Sequence, residues 1–425
     1  MKKYNGSAHR NNTGSAMPCR NGESDDFGSR ICGGIFRKIN CLAPGPCVQS
    51  PVEPVGRSVK YLTGENLVPV CAFLLGICGL LTIASSQSAA DEPLRLVIRQ
   101  LLFLAVGIGL LAAAAHIRFS VWLGIAPEVY FFFWIMLMLL PLFGARINGM
   151  CGWFRIGALS FQPSECGRPF FLLAIVSVFC QVPAGVKRLA ASAVLTALWL
   201  LPIWFQPDFG TVMIYALAFV VIYFIAGAPW KHLFFLAGTA GIAAVCIAAA
   251  HPYVLRRFTG FLFPDRDPSG SGWHVRQFEL AVARGHWFGS KMGSAVWSNA
   301  YLPFSYNDSA GATLLETLGI AGAAVPALLF AVLMLSLHKL ACRRGIDARN
   351  RLFISGTAVF LGLQVLVHMG VNLALLPPTG LVLPFISYGG SSIAGSCLML
   401  GIALAAAKDG GPLTAKSSET IIIQQ

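Results

Sequence analysis

Phe261-Leu262-Phe263-Pro264-Asp265-Arg266-Asp267-Pro268-Ser269-Gly270-Ser271-Gly272-Trp273-His274-Val275-Arg276-Gln277 is the centre of a stretch, His251 to Leu314, that is too polar to cross a bilayer. The stretch sets Arg256, Arg257, Arg266, Arg276, Arg284 and Lys291 against Asp265, Asp267, Glu279 and Asp308, and it is rich in glycine and aromatic side chains. On both sides the chain runs in apolar segments of the ~20 residues that a helix needs to span the hydrocarbon core. A long polar insertion on a membrane scaffold is where chemistry is expected.

Composition supports the membrane reading. Of 425 residues, 56% are hydrophobic and 12% are charged, whereas soluble domains carry about 25% charged residues. A soluble enzyme with a single globular core is excluded. The formal net charge is +13; on a membrane protein basic residues usually set topology, so no nucleic-acid partner is expected. The twelve cysteines are scattered, and Cys19, Cys32, Cys41 and Cys47 show no Cys-x-x-Cys spacing, so no zinc site is expected. The first sixty residues lack the apolar core of a signal peptide and carry nine basic and four acidic side chains.

Ten spans can be drawn, at roughly 67–85, 98–117, 127–144, 168–184, 188–205, 209–227, 232–250, 313–338, 351–375 and 386–407. Backbone satisfaction in lipid makes them helices. With the N-terminus inside, Arg118, Lys187, Arg188, Lys231, Lys339, Arg343, Arg344, Arg349, Arg351, Lys408 and Lys416 fall on the cytoplasmic side. The expected fold is thus an all-α polytopic membrane protein of about ten transmembrane helices, with one long extracytoplasmic loop, 251–312, between the seventh and eighth. Residues 1–63 read as a disordered cytoplasmic tail, 64–407 as the transmembrane domain and 408–425 as a cytoplasmic C-terminal tail.

The loop's arginines need a reason other than topology, and an anionic ligand is the obvious one; Arg256, Arg257 and Arg276 are candidates, with Gln277 beside them. Gln162-Pro163-Ser164-Glu165 and Gln206-Pro207-Asp208 each precede a span, with proline pre-set for a first helical turn and Ser164 or Asp208 able to cap free amides. They read either as two well-made helix starts or as N-termini ringing an outward cavity that favours anionic groups. Glu165 and Arg168 share a helix face, either as a structural ion pair or as a substrate-facing one. Asp308 reads as a helix cap or as a catalytic carboxylate, with Glu316 eight residues on. Gln364, His368 and Asn372 form a polar stripe that reads as interhelical hydrogen bonding. Last, Leu383-Pro384-Phe385-Ile386-Ser387-Tyr388-Gly389-Gly390-Ser391-Ser392 permits close helix packing or a cavity-lining turn.

Taken together these pieces resemble the SEDS family (shape, elongation, division and sporulation) of bacterial membrane proteins of the FtsW, RodA and SpoVE type. The resemblance covers about 65–407. It is carried by Trp153 with Gln162-Pro163-Ser164-Glu165, by Gln206-Pro207-Asp208-Phe209-Gly210-Thr211 with Ala226-Gly227, and by Phe261-Leu262-Phe263-Pro264 with Asp267-Pro268 and Gly270-Ser271-Gly272-Trp273-His274-Val275-Arg276-Gln277. Asn372, Pro377-Thr379-Gly380 and the 384–392 run complete it. The family pattern changes around Asp308: Phe304, Tyr306 and Asn307 stand where Glu, His and Thr are usual, Arg168 stands for Lys, and Phe278 for Ser.

The resemblance implies peptidoglycan glycan-strand polymerisation at the outer face of the bacterial cytoplasmic membrane, with both termini cytoplasmic. The implied substrate is lipid II, a disaccharide-pentapeptide on undecaprenyl diphosphate, and the implied reaction is an inverting glycosyl transfer. Asp308 falls where the family has its essential Asp and is the implied base. Glu165, Arg168, Arg256, Arg257, Arg276, Gln277, Asp208, Glu316, Ser387, Gly389, Gly390 and Ser391 are the implied substrate-binding set. A class B penicillin-binding protein is the implied partner, meeting the eighth and ninth spans within a division or elongation complex. A divalent cation, Mg or Mn, is compatible with a diphosphate, although the sequence shows no ligand cluster for it. The rival readings are a lipid II flippase and a non-catalytic scaffold of the division or elongation machinery.

Overall fold

A computed structural model describes residues 64–86, 93–147, 150–157, 159–250, 252–290, 296–302 and 304–409; the expected tails, 1–63 and 410–425, lie outside the described residues. The ten expected spans correspond to helices α1 (Gly64–Ser86), α2 (Pro93–His116), α3 (Phe119–Phe143), α4 (Pro163–Gln181), α5 (Val186–Phe205), α6 (Phe209–Ile225), α7 (Trp230–Ala250), α11 (Ala310–Ala341), α12 (Ala348–Asn372) and α13 (Gly390–Asp409). Among the described residues, eight of these are long and apolar enough to cross a membrane; α6 and α7 carry the shorter apolar runs Phe209–Ile225 and Trp230–Cys246. The third helix starts at Phe119 rather than near 127 and carries Pro127 and Pro141 inside it. Interior prolines are tolerated in membrane helices because neighbouring groups take up the freed carbonyls.

Between α3 and α4 the chain forms a small antiparallel sheet, β1 (Ala145–Ile147), β2 (Met150–Ile156) and β3 (Leu159–Phe161), in the order β1-β2-β3. The all-α expectation gave this segment no element, because strands of three to seven residues carry too few alternations to read.

The core lies around α4, α12 and α13. Phe171, Leu172, Leu173, Ile175 and Val176 of α4 are fully buried, as are Phe353, Ile354, Phe360 and Leu361 of α12 and Met399, Leu400 and Ile402 of α13. Small residues let the backbones approach: a Cβ on Gly395 of α13 would run into the carbonyl oxygen of Glu165 on α4. The outer helices expose apolar side chains, as at Leu101, Leu102 and Val106 of α2 and Phe234, Ile242 and Val245 of α7. That is the pattern of a protein solvated by lipid.

The long loop is mostly helical. It contains α8 (Pro252–Leu262), a 3-10 turn (Pro264–Arg266), α9 (Trp273–Gly285) and the short α10 (Val296–Tyr301). The glycines of 270–272 allow the tight return between α8 and α9, where a Cβ on Gly272 would strike the backbone of Pro264. α11 runs for 32 residues but breaks at Gly319, whose φ is 65° and ψ −173°. Into that break dock residues 286–290: Ile320 N donates to His286 O at 3.1 Å, Ala321 N to Trp287 O at 3.0 Å and Ser290 N to Glu316 O at 2.9 Å.

Candidate active site

Asp308 lies in a turn just ahead of α11. The turn begins at Phe304, whose φ of +51° is a left-handed value that a bulky residue rarely adopts. Its carbonyls are gripped from several sides. Asn372 Nδ2 donates to Asp308 O at 3.0 Å, Ser387 Oγ to Asn307 O at 2.6 Å and Tyr388 N to Tyr306 O at 2.8 Å. Thr313 Oγ1 closes it from α11, donating to Ser305 O at 2.8 Å. The carboxylate atom Oδ1 of Asp308 is buried and has no hydrogen-bond partner. Burial pushes this carboxyl up to about 6, with the positive charge of Arg257 among the effects that oppose it.

Two elements hold the turn. On α12, the stripe expected to bond between helices does so. His368 Nδ1 pairs with Leu381 O at 2.7 Å, and its Nε2 accepts from Gly311 N at 3.2 Å. Asn372 Oδ1 accepts from Ala312 N at 2.9 Å. Gly311 and Ala312 are first-turn amides of α11, which have no carbonyl within their own helix. The second element is the 383–389 turn, with Phe385 at φ +66°. Ser387 Oγ accepts from Leu383 N at 2.8 Å, and Gln100 of α2 spans the turn, donating to Ser387 O at 3.1 Å and accepting from Gly389 N at 3.3 Å. Tyr388 packs edge-on against Tyr306, with ring centroids 5.8 Å apart.

Arg257 of α8 donates to Pro378 O at 3.1 Å. Its charge bears on Asp308, Asp208 and His274 alike. The charge of Glu165 bears on Asp208 as well. Asp208 caps α6, accepting from Thr211 N at 3.0 Å. Glu165 and Arg168 form a buried ion pair on α4; Arg168 Nη1 also donates to Gln364 Oε1 at 2.8 Å. Ser391 Oγ accepts from Gln162 N at 2.9 Å and so pins the start of α4 to α13, while Gly390 fits against Phe103. Gln277 is buried, with Oε1 unpartnered.

Three expected site residues have other placements. Glu316, expected to bind substrate, is fully buried and serves as an internal cap. It accepts from Trp297 N at 3.0 Å, from Ser298 N at 2.7 Å and from Ser298 Oγ, and Arg284 Nε lies 3.8 Å away. Its oxygens hold the N-terminus of α10, so the site is not where it works. Arg276 is tied to Asp265 and, at 3.6 Å, to Glu279, which neutralise it locally. Arg256 is exposed on α8. Conversely, Gln100 and Tyr215 escaped the sequence reading. Tyr215 Oη donates to Ser164 O at 2.5 Å. A lone Gln or a Tyr inside an apolar run was the available signal, since polar groups at membrane depth need partners.

Beside the Ser391 end of the site an apolar groove of about 490 Å³ opens between α2, α3 and α13, lined by Phe103, Val106, Phe133, Phe161 and Leu398 among others. The arrangement offers a buried carboxylate with an unpartnered Oδ1, an arginine whose charge bears on it, helix starts on α4 and α6 and an apolar groove at the Ser391 end. Those are the parts needed to deprotonate a hydroxyl near an anionic, lipid-linked ligand.

Known proteins share this frame. A family model described as a cell cycle protein, FtsW/RodA/SpoVE, matches residues 65–410. A protein named probable peptidoglycan glycosyltransferase FtsW from Thioalkalivibrio sulfidiphilus is 32% identical over 357 residues, 82% of this chain and 87% of its own length. One of the same name from Coxiella burnetii is 32% identical over 79% of this chain and 94% of its own. Among solved structures, a chain from a peptidoglycan synthase complex that coordinates polymerization and crosslinking superposes with a TM-score of 0.68 at 30% identity, covering 82% of this chain and 98% of that one. The rod shape determining protein RodA of Thermus thermophilus does so with a TM-score of 0.62 at 26% identity, covering 83% and 99%. With the match running from the first described helix to the last, the chain belongs to the FtsW/RodA/SpoVE family of cell cycle proteins.

Proposed function

We propose that this chain polymerises peptidoglycan glycan strands from lipid II, in cell division or cell-shape maintenance. The observation that carries the reading is the unpartnered, buried Oδ1 of Asp308 in a turn held by its own carbonyls. The names of the relatives and the synthase-complex neighbour support it. In the proposed step, Asp308 takes the proton of the acceptor GlcNAc 4-hydroxyl while that oxygen attacks the anomeric carbon of MurNAc on a second lipid II. The bond to undecaprenyl diphosphate breaks with inversion, and the leaving diphosphate gains charge. Arg257, whose charge bears on Asp308, would meet it. The groove by Ser391 would take the isoprenoid tail.

The reading places Asp308 at the outer face of the bacterial cytoplasmic membrane, with both termini in the cytoplasm. Exposed apolar side chains on α11 (Ile320, Val325, Leu328, Leu335) and Leu366 on α12 suit the membrane helix of a class B penicillin-binding protein. Mg or Mn would share the diphosphate charge. Among the described residues no group of three or more His, Cys, Asp or Glu stands ready to hold such an ion, so no step is assigned to it. The test is polymerisation of labelled lipid II by the purified protein with its penicillin-binding partner. Polymer from wild type and none from Asp308→Asn supports the proposal; no polymer from wild type, with the fold and lipid II binding intact, refutes it in favour of a scaffold or transporter.

A further inference from the structure

A cavity of about 570 Å³ lies at the other end of α12 from the Asp308 turn. It is lined by Phe179, Cys180 and Gln181 where α4 ends, Arg188 near the start of α5, Ile225 and Ala226 where α6 ends, and Asp347, Ala348, Arg349, Arg351 and Leu352 where α12 begins. The far end of α12 carries Asn372, which holds the Asp308 turn. A helix of 25 residues is ~37 Å long, so the two sites face opposite sides of a bilayer.

Three arginines against one aspartate leave this cavity with a surplus of two positive charges. The aspartate is already engaged: Asp347 accepts from Ala348 N at 2.8 Å and from Arg349 Nε at 3.1 Å. Arg188 is braced, Nε donating to Val182 O at 2.7 Å and Nη1 to Ala226 O at 3.4 Å, which fixes the guanidinium in place. Arg351 Nε is buried with no acceptor. The α12 N-terminus adds first-turn amides and the positive end of its dipole to the same space. Apolar side chains share the lining, among them Phe179, Ile225 and Leu352.

The geometry points to a binding site for the phosphate headgroup of an anionic phospholipid. Guanidinium groups and helix-start amides match phosphate oxygens. The level of the cavity, at the ends of four helices of this membrane bundle, is that of lipid headgroups, and its apolar side chains suit the attached chains. Basic pockets between membrane helices take such headgroups in general. A free phosphate would share the polar contacts but leave the apolar surface empty.

The test uses full-length protein in uncharged detergent with added phosphatidylglycerol or phosphatidylcholine. Native mass spectrometry counts retained lipid, and thermal unfolding reads stabilisation. Wild type should retain and be stabilised by phosphatidylglycerol and not by phosphatidylcholine. Arg349→Gln with Arg351→Gln should weaken retention about tenfold, since a hydrogen bond to a charged group contributes ~1.5 kcal/mol or more. Arg344→Gln, at the same end but outside the cavity, should change nothing. Equal retention by wild type and the double variant overturns the site. Equal stabilisation of wild type by both lipids overturns it as well, whether or not the variant folds. Displacement of the lipid by millimolar inorganic phosphate would overturn the lipid as ligand. None of these readouts depends on glycan polymerisation.

Discussion

Replacing Asp308 by Asn keeps the side chain's shape and removes its charge and its basicity. Burial has raised this carboxyl from the ordinary 3.8 to about 6. At ~1.4 kcal/mol per pH unit, keeping it charged near neutrality costs the fold about 3 kcal/mol. The grip from other elements is on the Asp308 carbonyl, and the backbone amides of Asp308 and Ser309 that meet the carboxylate can meet the Asn amide oxygen instead, so the turn survives the substitution. Asp308→Asn should therefore unfold at the same temperature as wild type or a higher one, while polymerisation of labelled lipid II falls about 100- to 10,000-fold, the usual worth of a general base. The sign with pH follows from the same shift. Between about pH 4 and 6 the folded state binds more protons at Asp308 than the unfolded state, so its contribution to stability is full below that window and is lost as pH rises through 6. The stability gap between variant and wild type should thus close on acidification. Wild-type activity should fall tenfold per pH unit below about 6. A variant that polymerises within a few-fold of wild type would refute the base assignment; one that is dead and also melts well below wild type would show that the carboxylate holds the fold instead.

Glu316→Ala should destabilise by about 3 kcal/mol, because two amides and a hydroxyl at the start of α10 lose a buried acceptor; a normal melting temperature with lost activity would return Glu316 to the substrate. Gly319→Ala places a side chain at φ 65° against the backbone of Gly289, so it should loosen 286–290 and show as faster hydrogen exchange at Ile320 and Ala321. Arg168→Lys cannot fork to both Glu165 and Gln364 and should lower stability by about 1–2 kcal/mol in thermal unfolding, less than Arg168→Met, which leaves Glu165 buried alone.

The spans were legible because lipid imposes a length and an apolar composition on each helix, and both show in a single sequence. One boundary was misplaced: the third span, drawn from about 127, starts at Phe119, and Pro127 lies within α3. The sheet of 145–161 was invisible because its strands are too short to alternate detectably. At the site, the stripe Gln364, His368, Asn372 was legible by its four-residue period, and its partners were not, since Arg168, Gly311 and Asp308 come from other elements. Glu316 misled for a physical reason. A carboxylate near the loop attracts a ligand-binding reading, yet the amides it neutralises belong to α10, a six-residue helix with no sequence signal of its own.

The Asp308 turn is gripped through main-chain oxygens: Asn372, Ser387, Tyr388 and Thr313 all bond to carbonyls of 305–308. A mould that holds the backbone leaves most of the turn's side chains alone; Tyr306, whose ring meets Tyr388, is the exception. Positions 304 and 307 can therefore vary while the carboxylate stays on its mark. Evolutionary freedom in this turn should be found at those two positions, and constraint at Tyr306 and at the distant residues that form the mould.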